Sequence, residues 1–206
     1  MNKQRGVVTR LLIVSGSLAI VLSGCAASTQ SQTATTHATA SPSASSSSRP
    51  GAVTAAPQLL VLMSADAGAD LHQTQAGPTG AGTQPTGAAL GFQVVFSDSG
   101  GLRSVVSQAL LTKTDDQADL LLQGTQQGIQ QRGGTSLGDF AIGDVGHLAT
   151  LSEQGKFVVV LSWRNHNVVC ELLETQSGTS QADLISDVKR LAQLQNAAIN
   201  KAAAPH

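Results

Sequence analysis

The sequence predicts one α+β domain: a mostly antiparallel sheet with two helices packed on one face, built from a duplicated strand-turn-strand-helix unit. Three observations predict it. Apolar runs of strand length pair across short turns, two segments carry helical periodicity with start and stop signals, and the chain repeats itself at a spacing near 64 residues. Phe92–Ser97 aligns with Phe157–Ser162, Val105–Thr112 with Val168–Thr175, and Gln117–Leu120 with Gln181–Leu184. The offsets are 65 (157 − 92), 63 (168 − 105) and 64 (181 − 117), and the differences fall in turns.

Taken in order, the folded part is expected over residues 57–200. Leu59–Met63 opens it as an apolar stretch, either strand or short helical turn. Residues 64–90 hold Gly77, Pro78, Gly80, Gly82, Pro85 and Gly87 and read as a long loop, either a lid or a disordered insertion. The first unit then supplies strands near 92–97 and 105–112. Its helix opens at Asp116 with Asp119 three residues on, carries Leu121, Leu122 and Ile129, and stops at Gly133-Gly134, where a glycine ends helices.

Phe140–Asp144 and His147–Leu151 read as one strand bent at Gly143 or Gly146, or as two short ones, with 133–136 as connector. In the second unit Phe157, Val159, Leu161 and Trp163 share one face of a strand. Arg164-Asn165-His166-Asn167 is a hairpin turn, since Asn tolerates positive φ. The closing helix, 181–200, places Leu184, Val188, Leu191 and Ile199 towards one side, with Ser180 and Asp183 as a capping box. Residues 201–206 form a tail.

The N-terminus carries an address. Lys3, Arg5 and Arg10 precede an apolar run from Leu11 to Leu22, too short and too interrupted by Ser15-Gly16-Ser17 to span a bilayer, which is the pattern of a secretory signal. Leu22-Ser23-Gly24-Cys25 resembles the lipobox of bacterial lipoproteins. The resemblance implies removal of residues 1–24 as a signal peptide, a diacylglycerol on the Cys25 thiol and a further acyl chain on the new terminus. Membrane lipid is then the first partner, on the extracytoplasmic face of the cell membrane, since two or more chains anchor stably where one does not. Residues 25–56, mostly Ser, Thr, Ala and Gln after the lipidated Cys25, lack the apolar surface to offset ordering entropy and read as a disordered tether.

Composition narrows the function. Loss of Lys3, Arg5 and Arg10 turns the formal net charge of −1 into −4, nine basic against thirteen acidic side chains. No basic stripe remains for phosphates, so nucleic acid is excluded as a partner class. Rings are scarce, Phe92, Phe96, Phe140, Phe157 and Trp163 with no Tyr, which disfavours sugar-binding and base-stacking surfaces. With Cys25 acylated, Cys170 is alone in a strand and reads as a small buried hydrophobe. His37, His72, His147, His166 and His206 lack zinc spacing, so no metal is expected. No G-x-S-x-G, P-loop, H-E-x-x-H or G-x-G-x-x-G stands in a fitting context, so neither catalytic residues nor a cofactor are expected. The cluster that points to recognition is Trp163, Arg164 and His166, an aromatic, a cation and a hydrogen-bonding ring at a hairpin tip.

Leu137-Gly138-Asp139-Phe140-Ala141 resembles a Gly-Asp-x-Ala signature of extracytoplasmic lipoproteins and sensor-like domains of Gram-positive bacteria. In those, Gly-Asp precedes a strand, an Arg-x-Gly-Asn turn, a second strand and a closing helix. Here Arg164 and Asn167 stand at the two ends of the turn, His166 takes the glycine position, and Ile142-Gly143-Asp144 offers a second Gly-Asp. The resemblance implies an α+β fold with a binding or sensing role for a small ligand. The alternative expectation is a structural or interaction protein of the envelope, with another envelope protein as partner.

Overall fold

The computed structural model describes residues 52–79, 89–153 and 155–203. The signal segment, Cys25 and most of the tether lie outside the described residues, as do positions 80–88 of the expected loop. A 3-10 turn (Pro57–Leu59) and a one-turn helix α1 (Ser64–Ala67) lead into β1 (His72–Thr79), β2 (Leu90–Ser97), β3 (Arg103–Leu111) and α2 (Asp115–Gln131). Then follow β4 (Thr135–Asp139), β5 (Val145–Glu153), β6 (Lys156–Asn165), β7 (Val168–Gln176) and α3 (Gln181–Ala203). The strands form one seven-stranded sheet in the order β1-β2-β3-β7-β6-β5-β4, every neighbouring pair antiparallel. The α+β class and the antiparallel sheet are as expected.

Helix α2 stops and α3 starts on the signals read from the sequence, whereas α2 is capped two residues earlier than the expected Asp116 and α3 runs past its expected end. The Thr114 hydroxyl caps α2 by accepting from Gln117 N–H. At its other end Gly133 N–H donates to Gln130 C=O and Gly134 N–H to Ile129 C=O, the paired bonds of a Schellman close. Ser180 Oγ accepts from Asp183 N–H (3.2 Å) and donates to the Asp183 carboxylate (2.6 Å), opening α3. That helix runs on through 201–203, three residues of the expected tail.

The helices do not share a face, which corrects the expected layering. Successive residues of a strand point to opposite sides. Val159, Leu161 and Trp163 of β6, with Val168, Cys170 and Leu172 of β7, pack against Leu184, Val188, Leu191 and Ile199 of α3. Val158 and Val160 pack against Ile129 of α2, and Val169 against Ala118 and Leu122. The sheet half carrying β6 and β7 is therefore covered on both sides, and β6 is buried without interruption from Val158 to Trp163.

The duplication holds for the hairpins and stops there. Phe92, Val94 and Phe96 face the α3 side as Val159 and Leu161 do, and Val105 and Ala109 match Val168 and Leu172. The central pair β3–β7 is flanked by β2 on one side and β6 on the other, as a pseudo-two-fold along the sheet normal requires. Such an axis would put both helices on one face. Instead α2 crosses to the far side, and the place it would take over β2 and β3 is filled by the N-terminal segment, through Val53, Leu60, Val61 and Leu62.

That segment is tied in by buried polar bridges. Asn167 accepts from Val53 N–H (2.8 Å) and donates to Val53 C=O (3.1 Å) and Thr112 C=O (2.8 Å). Gln195, on the apolar stripe of α3, donates to Leu60 C=O (3.0 Å) and Gln108 C=O (3.1 Å) and accepts from the Ser107 hydroxyl (2.9 Å). Val53 is thus already core, ahead of the domain start expected at 57. The expected loop also yields a strand: β1 pairs with β2 along its whole length, with a bulge between Gln73 and Gln75. The expected connector 133–136 gives up Thr135 and Ser136 to β4. No helix among the described residues is long and apolar enough to cross a membrane.

Candidate functional site

The first Gly-Asp pair precedes, and the second closes, a loop over residues 140–144 that lies beside the C-terminal half of α3. Gly138 (φ +99°) sits in the β4 bulge, a backbone shape costly for any residue with a Cβ. The bulge sets Asp139 opposite His147, whose Nδ1 donates to the Asp139 carboxylate at 2.6 Å. Gly143 (φ +58°) passes the β6 backbone so closely that a Cβ would lie 2.3 Å from Arg164 C=O. Asp144 then clamps the hairpin turn: its carboxylate accepts from His166 N–H (2.8 Å) and pairs with Arg164 (2.9 Å), and its N–H donates to Arg164 C=O (2.8 Å). Of the two pairs, Gly143-Asp144 is the one joined to the arginine turn.

Trp163, Arg164 and His166 do not form one surface. Trp163 lies fully buried on the α3 side, its indole N–H donating to Asn196 Oδ1 (3.2 Å). Arg164 points to the other side and bridges Asp144 to Asp119 of α2 (2.7 Å). His166 occupies the turn with φ +52°, taking the conformation expected of a neighbouring Asn, and is held through its backbone N–H and C=O. The hairpin tip expected to present an exposed aromatic instead places its aromatic in the core.

Trp163 nevertheless reaches the site through its partner. Asn196 Oδ1 accepts a second bond from Asn165 Nδ2 (2.8 Å), and the same Nδ2 donates to Asn200 Oδ1 (2.7 Å). An indole N–H donates and never accepts. It therefore fixes the orientation of Asn196, and through the buried Asn165 that of Asn200. Asn196 and Asn200 form one wall of a cleft of about 490 Å³ whose opposite wall is the 140–145 loop, with Phe140, Ile142 and Asp144. That volume is in the range of small-ligand sites. Lys189 Nζ stands 4.9 Å from the Phe140 ring centroid at one end.

Two further polar clusters lie outside the cleft. On the α2 side, strand register lines up Asp139, His147, Ser162 and Glu171 across four strands. Ser162 Oγ is buried with no hydrogen-bond partner among the described residues, and burial pushes Glu171 up to about 7, partly offset by Arg132. At the far end of the sheet Arg103 joins three carboxylates: Glu174 (2.8 Å), Asp70 (3.3 Å) and Asp187 of α3. Burial pushes Glu174 up to about 7 against the pull of Arg103, with Asp187 adding to the rise. The Cys170 thiol is buried, and desolvation pushes it well above the ordinary thiol range. Among the described residues no group of three or more His, Cys, Asp or Glu side chains is placed to hold a metal ion.

Sequence reasoning missed Asn196 and Asn200, which were legible only as amides on the polar side of a helix, whereas Asn165, at the end of β6, belonged to the hairpin turn already singled out. No protein-family model matches the chain, and no curated protein matches it. Among solved structures the chain is similar to the extracellular domain of PknH from Mycobacterium tuberculosis, with a TM-score of 0.53 and 11% identity over 71% of this chain and 99% of that one. The likeness is one of fold.

Proposed function

We propose that this protein is a lipid-anchored, extracytoplasmic binding or sensing protein without catalytic activity. Cys25 of the lipobox holds it to the membrane, and the cleft between the 140–145 loop and α3 takes the ligand. The observation that carries the binding reading is the cleft wall itself. Asn196 and Asn200 have their carbonyl oxygens consumed from inside by Trp163 and Asn165, which leaves their NH2 groups for whatever enters. A rigid donor set held by a buried network is what specific recognition requires. The fold shared with an extracellular domain supports the extracytoplasmic reading. The burial of Ser162 and Cys170 supports a role without covalent chemistry.

Ala197 is exposed on the cleft wall between the two asparagines, and Ala197→Phe fills the space without touching the core. Envelope extract from the source cells should raise the melting temperature of the parent protein by a few degrees and leave Ala197→Phe unmoved. An equal response from both, or none from the parent, would remove the cleft as the site.

A further inference from the structure

We infer that the cleft recognises the main chain of an extended, uncharged peptide, reading its carbonyl groups with Asn196 and Asn200; this rests on the cleft reading above. The donors are fixed and free: the Nδ2 groups of both residues make no hydrogen bond among the described residues, while both Oδ1 atoms are engaged. A ligand must therefore bring acceptors. Residues four apart on a helix rise about 6 Å along its axis. Carbonyls on one side of an extended chain recur every two residues, about 6.6–6.8 Å. Two successive outward carbonyls of a peptide lying along α3 thus meet Asn196 and Asn200 in step, and Gln193, three residues earlier, lines the same wall.

The opposite wall suits the same ligand. Ala141 and Gly143 are exposed, belong to no strand and make no main-chain hydrogen bond among the described residues, so the loop offers their backbone groups to a peptide's own N–H and C=O, while Ile142 between them anchors the loop in the core. Among the described residues no Lys or Arg lines the cleft, which argues against a carboxylate or phosphate as the recognised group. One aromatic ring, Phe140, lines it, and Lys189 already stands over that ring, which argues against a sugar stacked on it. Ala197 and Ala141, small themselves, let a peptide main chain approach both walls, and short side chains such as those of Ala and Ser keep that approach open.

The test uses the full chain and a blocked pentapeptide, N-acetyl-Ala-Ser-Ala-Ser-Ala-amide, with a β-1,4-linked glucose pentamer as comparison. Trp163 is the single tryptophan and its N–H bonds Asn196, so its emission reports on the cleft, beside the NMR side-chain amide signals of Asn196 and Asn200. The peptide should shift all three. The double variant Asn196→Asp/Asn200→Asp keeps the acceptors for Trp163 and Asn165 but turns an oxygen towards the ligand, and should weaken binding at least tenfold. Should the double variant fail to fold, Asn200→Asp alone, at the exposed position, should still weaken it several-fold. A peptide that leaves the three signals unmoved, or binds the folded variants as tightly as the parent, overturns the inference. Shifts produced by the glucose pentamer alone would overturn the peptide and keep the cleft. If neither probe shifts them and Ala197→Phe answers envelope extract as the parent does, both readings fall.

Discussion

Leu191→Asp should abolish cooperative folding. Leu191 is fully buried at the centre of α3, among the β6 and β7 side chains of the main core. Losing a buried leucine costs about 2–5 kcal/mol, and an unpaired carboxylate in the same place adds several kcal/mol more. A domain of this size is stable by roughly 5–15 kcal/mol, so the sum reaches the whole margin. Leu184 is a weaker probe, because it lies in the first turn, where fraying relieves the charge and the helix N-terminus favours an anion. Leu194→Asp, three residues on at an exposed position, is the control and should shift the melting temperature little. Thermal melts followed by circular dichroism decide it. A sharp transition in Leu191→Asp near the parent temperature would mean that α3 does not seat on the sheet.

Arg103→Met should cost about 3–5 kcal/mol above pH 8, because it strands Glu174, which has no exposed surface and whose second carboxylate oxygen has no hydrogen-bond partner among the described residues. The penalty depends on pH in a definite direction. Glu174 has its pKa raised in the fold from 4.5 to about 7, so the folded state holds a proton that the unfolded chain releases. Its contribution to stability is complete below about pH 4.5 and is lost as pH rises through about 7, and Glu171 acts in the same sense. At pH 5.5 Glu174 is mostly neutral, and the loss of Arg103 should hurt less than at pH 8.5. Glu174→Gln imitates the protonated side chain, accepting from Arg103 and donating to Asp187, and should make the profile shallower between those two values, leaving the part due to Glu171. Urea unfolding at both pH values measures all of this. An Arg103→Met penalty that is equal at both, or greater at pH 5.5, would contradict the assignment.

The sheet class and the two helices were legible because they rest on local chemistry. Alternating apolar residues give strands, and caps at Ser180 and Gly133 bound helices, wherever the chain goes next. The side of the sheet each helix takes is a tertiary matter, yet one clue was present. Phe157-Val158-Val159-Val160-Leu161 is apolar at every position, which a strand covered on one face does not need. Reading only its odd members put both helices on one side. β1 escaped because Gln73, Thr74 and Gln75 form an exposed edge strand with no apolar alternation, held by its backbone ladder and by the Thr74 hydroxyl, which donates to Val95 C=O.

The candidate site was legible at the turn and not at the helix. Arg164 and Asp144 mark the place where the Gly-Asp loop meets the hairpin, and both belonged to recognisable patterns. Trp163 follows the parity of Val159 and Leu161, so its burial was already implied by the strand face on which it stands. Asn196 and Asn200 gain meaning only once the 140–145 loop is set beside α3 and an indole N–H fixes their orientation, a long-range event that no local spacing announces.

The proposed place of the protein, a domain held outside the membrane by lipid, rests on Cys25. Intact-mass spectrometry of the native protein, followed by sequencing of its N-terminal peptide, tests that most directly. The native chain should begin at Cys25 and be heavier than its polypeptide by a diacylglycerol, with or without a further acyl group. A chain that starts elsewhere, or a Cys25 carrying no lipid, would contradict it.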